Sequence, residues 1–276
     1  MQTFESDPNL KDIKLIAVDM DKTLLTDERV LPEGLDERLA ALEEAGIVFC
    51  PASGRPAPRL EEMFPTGRDE MAFCPDNGGS LIYKGELIYK SNIDESLYHR
   101  VLDFAVGRNE CAAVLCTYND AYMLERDRPY DADCRVYYPS IKYVETFDEV
   151  HAESNKISLF FPAYDAEPLF RNVYAPEFSD VLYATNAGRE WIDFMNLGVD
   201  KGSGVAHLCN QLGIDIADAA AVGDTYNDIP MLERVGHSFI VANAEEHMQA
   251  HAKYMVPSNN DGGVLTLIDA ILAARK

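Results

Sequence analysis

The chain reads as an α/β protein with a three-layer core around a parallel sheet, interrupted by an inserted α+β domain. Three observations predict it. Short β-rich apolar runs alternate with helix-spaced segments at both ends of the chain, as at Ile13–Val18 and Ala219–Val222. Polar clusters stand where those runs stop, at the sheet edge where open α/β folds bind ligands. Between residues 83 and 191 strands crowd together with few helices, which suits an α+β insert better than further βαβ units.

Ile13–Val18 does not alternate, so it fits a strand buried on both faces, and it stops at Asp19. Pro32 then precedes Leu35, Leu39, Leu42 and Ala45, apolar residues at helical spacing, with Gly46 as terminator. Ile47–Cys50 is the next strand and runs into Ala52-Ser53-Gly54-Arg55, which completes a βαβ unit. Ser80–Tyr89 reads as a hairpin turning at Lys84-Gly85. Helices are expected near 95–106 and 167–174, with several Tyr-, Val- and Leu-rich strands around them. The βαβ grammar returns with a helix over 202–212, a strand ending at Gly223-Asp224, strands at Ser238–Val241 and Tyr254–Val256, and a helix from Gly263. The expected division is a discontinuous, Rossmann-like core at 1–82 and 192–276, with the insert at 83–191.

Composition narrows the function. A formal charge of −23 over 276 residues repels phosphate backbones, so nucleic acid and anionic membranes are poor partners. No apolar stretch approaches membrane-spanning length, and Met1–Lys11 is polar and acidic, so a cytoplasmic protein is expected. The six cysteines form no CxxC pair and read as reduced core thiols, not disulfides or zinc ligands. Oligomeric state is not legible.

Four polar clusters fall at strand ends or at the start of a following helix: Asp19-Met20-Asp21-Lys22-Thr23-Leu24-Leu25, Ser53-Gly54-Arg55, Asp200-Lys201-Gly202, and Gly223-Asp224-Thr225-Tyr226-Asn227-Asp228. Singly, each has a bland reading. Asp pairs after strands form turns and helix caps, Ser-Gly is a common turn, and a lone lysine before a helix is usually solvated. Their order and spacing carry the argument. DMDKTLL, ASGR, DKG and GDTYND in succession resemble the four motifs of the haloacid dehalogenase superfamily. The long gap between the second and third, from Arg55 to Asp200, resembles the Cof-like sugar-phosphatase branch, whose cap is inserted there. Asp76-Asn77-Gly78-Gly79 and Asn260-Asp261-Gly262-Gly263-Val264 are similar to further segments of that branch.

The resemblance implies a magnesium-dependent phosphatase acting on small phosphate monoesters. Asp19 would be the nucleophile and Asp21 the general acid and base. Ser53, Gly54, Lys201 and Asn227 would hold phosphoryl oxygens, with Asn227 alternatively orienting the metal shell. Mg2+ would sit on Asp19, Asp21 (through its carbonyl), Asp224 and Asp228, the last directly or through water. Magnesium and Lys201 would then draw a dianionic ester into an acidic protein. Many relatives have glycine where this chain has Lys22, whose side chain is expected in solvent.

In the insert, Arg126, Arg128, Arg135, Lys142 and Lys156 lie among Tyr118, Tyr122, Tyr130, Tyr137 and Tyr138. Most read as packing residues and charge balance, with Lys156 and Arg189 as weak candidates for substrate contact. Two other functions compete: a phosphomutase on the same motifs, and a phospho-accepting or regulatory binding protein. A receiver domain would be much shorter and would lack the second aspartate of Asp19-x-Asp21.

Overall fold

The computed structural model describes residues 1–186 and 188–276. The chain forms two compact units. The first comprises 1–54, 60–88 and 200–276, and the second comprises 55–59 and 89–199.

The first unit is built on a six-stranded sheet in the order Gln2–Thr3, Tyr254–Val256, His237–Val241, Ala219–Gly223, Leu15–Asp19, Val48–Ala52. Every neighbouring pair is parallel. All residues of Leu15–Asp19, Ala219–Gly223 and His237–Val241 are buried, which requires cover on both faces and explains their largely apolar, non-alternating sequences. Helix Leu35–Glu44 packs beside Gly263–Ala274, and Lys201–Leu212 packs beside Ile229–Arg234. Parallel strands share one carboxyl edge, so the polar residues that end them are gathered without long loops.

The hairpin Ser80–Tyr83/Glu86–Lys90 turns at Lys84 and Gly85, both at positive φ (52° and 75°), the backbone a tight two-residue turn needs. Its first strand pairs with Ala72–Phe73, in a small three-stranded sheet. The hairpin up to Ile88 therefore belongs to the first unit, and the second unit begins at Tyr89 instead of 83. The second unit likewise runs to Val199, past the expected 191, because strand Trp191–Asn196 is the inner neighbour of Leu182–Asn186 in its sheet.

That sheet has six strands in the order Leu182–Asn186, Trp191–Asn196, Ser154–Phe160, Ala112–Thr117, Ala121–Leu124, Ile141–Val144. It is antiparallel except for the last pair. Helix Glu95–Arg108 is capped by Asp94, which accepts from the Ser96 amide at 3.0 Å, and it ends at Asn109 in a left-handed conformation. Tyr98, Val101, Leu102 and Ala105 of that helix share one core with Leu115, Ile157, Leu159, Tyr174, Phe178 and Phe194. A second core joins Val114, Met123, Cys134, Tyr138, Phe160 and Trp191. The tyrosines are largely structural: Tyr138 is buried, and Tyr137 meets Trp191 edge-on at 5.4 Å. The surface cations are matched locally, Arg128 with Glu125, Arg135 with Asp131, and Lys142 with Asp120. All six cysteines are buried and free of disulfides.

Candidate active site

Asp19 closes its strand at the sheet's carboxyl edge and is only 6 % exposed. Its register partner on one side is Ala52, which places Ser53 just beyond it. On the other side Val18 pairs with Val222, which brings Gly223 and Asp224 alongside. Three of the four sequence clusters thus meet through strand register alone. The fourth arrives at the start of helix Lys201–Leu212. Asp200 caps that helix reciprocally: its carboxylate accepts from the Ser203 amide at 2.6 Å, and the Ser203 hydroxyl accepts from the Asp200 amide at 2.9 Å. This fixes the first turn, from which Lys201 extends.

The Lys201 side chain is fully buried, and its Nζ donates to Asp19 Oδ1 at 2.5 Å and to Asp228 Oδ1 at 2.7 Å. The other oxygen of Asp228 accepts from the amides of Asp224 (2.9 Å) and Thr225 (3.1 Å), so Asp228 braces the loop that carries Asp224. Thr23 adds a hydroxyl bond to Asp224 Oδ1 at 3.3 Å. Glycine is required beneath this arrangement. A Cβ on Gly223 would stand 2.5 Å from that of Asp228, and one on Gly202 would stand 2.1 Å from the Pro230 carbonyl.

One buried ammonium faces three carboxylates. Burial and the nearby Asp228 push the Asp19 carboxyl well above its ordinary range, against the pull of Lys201. Asp224 is raised to about 6 by burial and by Asp228. Burial opposes the charge on Lys201, but Asp19 and Asp228 outweigh it and hold its pKa up. Carboxylate oxygens of Asp19, Asp224 and Asp228 lie within 4.8 Å of one another. Such a set of hard oxygen donors, short of positive charge, fits a divalent cation of the magnesium class.

Asp21 lies outside that carboxylate group, exposed on the irregular turn Met20–Leu24 that follows the strand. The turn is pinned from both ends. Asn243 Nδ2 donates to the Lys22 carbonyl (2.8 Å), and Asn259 Nδ2 donates to that of Leu25 (2.9 Å). Lys22 sits at φ 63°, a left-handed conformation that costs a non-glycine residue roughly 1–2 kcal/mol. That is the physical reason glycine suits the position. The Lys22 side chain is exposed, as expected.

Ser53 is buried, its amide bonded to the Cys74 carbonyl (3.0 Å) and its carbonyl to the Asn77 amide (2.9 Å). Asn77 also accepts from Asn227 Nδ2 at 3.2 Å, and its side chain lies against Gly54, where a Cβ would stand 3.3 Å from Nδ2. Asn77 thus joins the second and fourth clusters, a role that sequence reasoning did not assign. The signal was there in Asp76-Asn77-Gly78: all three residues have positive φ, and Gly78 lies so close to Asp200 that a Cβ would come within 2.4 Å of its carbonyl oxygen. Thr23 was the other omission.

Of the candidates in the second unit, Lys156 is not a surface cation. It is buried within strand Ser154–Phe160, its Nζ 5.5 Å from the centre of the Tyr138 ring. Arg189 is exposed.

Comparison with known proteins bears on this geometry. The family model of haloacid dehalogenase-like hydrolases matches residues 16–268. A 5-amino-6-(5-phospho-D-ribitylamino)uracil phosphatase of Escherichia coli is 32% identical, with 94% of this chain and 96% of that protein aligned. A Bacillus subtilis phosphatase of the same name is 24% identical over 95% of this chain and 99% of its own. Among solved structures, SMU.1108c from Streptococcus mutans superposes with a TM-score of 0.85 at 25% identity, covering 95% of this chain and 99% of that one.

Proposed function

We propose, for a chain that belongs to the haloacid dehalogenase-like hydrolases and is a phosphatase of that family, a magnesium-dependent reaction through a phosphorylated Asp19. The observation that carries this reading is the meeting of Asp19, Lys201, Asp228 and Asp224 at one sheet edge. Asp19 Oδ would attack the phosphorus of a small monoester in line, forming an O–P bond as the ester P–O bond breaks. Asp21, two residues along the same turn, would give its proton to the departing alkoxide. It would then take one from the water that attacks the aspartyl-phosphate, releasing inorganic phosphate and restoring Asp19.

Lys201, already bonded to the nucleophile, would hold a phosphoryl oxygen and balance charge that grows in the transition state. Ser53, Gly54 and Asn227, linked through Asn77, would contact the remaining phosphoryl oxygens. Magnesium would be held by Asp19, Asp224, Asp228 and the Asp21 carbonyl; when bound it supplies the positive charge that lets a carboxylate approach a dianion.

The core is proposed as the catalytic domain and the insert as a cap that selects the organic part of the substrate. Sugar phosphates and related phosphometabolites are the proposed class. The Escherichia coli relative's substrate, a phosphorylated ribitylaminouracil, is the first compound to try. The test is phosphate release from an aryl phosphate and from that compound. Wild type should turn over with magnesium and stop on chelation. Asp19→Asn should lose on the order of 10⁴-fold or more in kcat. A folded wild type that releases no phosphate from either ester, or a mutant that retains turnover, would overturn the reading.

A further inference from the structure

We infer that the second unit carries a transition-metal site, unrelated to phosphoryl transfer, formed by Glu95, His99 and His151. Glu95 and His99 stand one turn apart at the start of helix Glu95–Arg108, so both side chains lie on one face. His151 comes from the segment before strand Ser154–Phe160. His151 Nδ1 lies 2.6 Å from Glu95 Oε1, and His99 Nε2 lies 3.9 Å from the same oxygen. One donor atom from each residue falls within 4.8 Å of the other two. Bonds of 2.0–2.1 Å in a tetrahedral zinc site put donor atoms about 3.3 Å apart. The two measured separations bracket that value, so the imidazoles need only small shifts to share an ion with the carboxylate.

Two imidazoles and one carboxylate select zinc, nickel or copper over magnesium, which prefers oxygen alone. Remaining coordination positions would be filled by water, since Glu95 and His151 are exposed. Two features set the strength. His99 Nδ1 is buried with no partner among the described residues, so no acceptor raises the basicity of its ring, and such support is typically worth 10–100-fold in affinity. The positive end of the helix lowers the affinity further. Zn2+ binding weaker than at a site with a supported imidazole is therefore expected. Binding would clip the helix start to the segment that leads into strand Ser154–Phe160.

The test is calorimetric titration of Zn2+ into the full chain, without an affinity tag, in excess magnesium to occupy the acidic cluster of the first unit. Wild type should bind one equivalent. His151→Ala, at an exposed position, should lose at least about tenfold in affinity, and Glu95→Gln should behave likewise. Both variants should keep wild-type turnover of an aryl phosphate, which separates failure of this site from failure of the phosphatase reading. Equal zinc binding by wild type and both variants would overturn the inference. So would the absence of zinc binding by wild type in excess magnesium.

Discussion

The two units bury charge in different ways. In the first, Lys201, Asp19 and Asp228 meet at the end of a parallel sheet, and the strands behind them are apolar throughout. In the second, polar groups lie inside the sheet itself. Tyr138 donates to Ser158 Oγ at 2.7 Å, Ser158 donates to Asp193 Oδ1 at 2.6 Å, and Lys156 faces the Tyr138 ring. Burial pushes the Tyr138 phenol well above its usual range, with Cys116 adding to the effect and Lys156 opposing it. The first arrangement leaves carboxylates short of positive charge at an edge, which suits capture of a cation. The second ties the buried Asp193 carboxylate to Tyr138 through the Ser158 hydroxyl, which suits a fixed sheet face.

Substitutions separate the two arrangements. The largest effect is expected at Lys201→Met, which strands buried Asp19 and Asp228 without their ammonium. A loss of about 3–5 kcal/mol in denaturant unfolding would match the cost of breaking a buried ion pair. A loss below about 1 kcal/mol would mean those carboxylates sit in far wetter surroundings than the geometry indicates. Ser158→Ala should cost less, about 1–3 kcal/mol, by leaving Tyr138 and Asp193 without a shared partner. Its turnover of an aryl phosphate should stay within a few-fold of wild type, and a collapse of kcat with stability intact would break the distinction between the units.

The smallest effect concerns pH. Asp224 titrates near 6 in the folded metal-free protein, above its ordinary 3.8. A raised folded value means the folded state holds the proton more tightly, so the stability this group lends is present below its unfolded pKa and is lost as pH rises through about 6. Asp19 is shifted in the same direction. Magnesium competes with those protons, so it should raise the melting temperature more at pH 8 than at pH 5. An equal rise at both would place the cation elsewhere.

Much of this was legible in the sequence because parallel sheets make local patterns sufficient. Ile13–Val18 ends at Asp19 and Ala219–Val222 ends near Asp224, and strand order alone brings those ends together. Lys201 was legible as a motif residue, but not that it is completely buried between two aspartates 182 and 27 residues away in sequence. The hairpin at Ser80–Tyr83 and Glu86–Lys90 was visible as a hairpin. Its allegiance was not, since that depends on pairing with the two-residue strand Ala72–Phe73. The burial of Lys156 and the approach of His151 to Glu95 were not legible either, because each depends on packing between elements far apart in sequence.

The claim that matters most is that phosphate passes through Asp19. Wild-type enzyme turning over its substrate should be quenched with borohydride, which reduces an aspartyl-phosphate to homoserine, and the peptide containing residue 19 then sequenced by mass spectrometry. The account predicts homoserine at position 19, only when substrate and magnesium are both present. Phosphate release with an unmodified Asp19, or with the modification on another carboxylate, would contradict it.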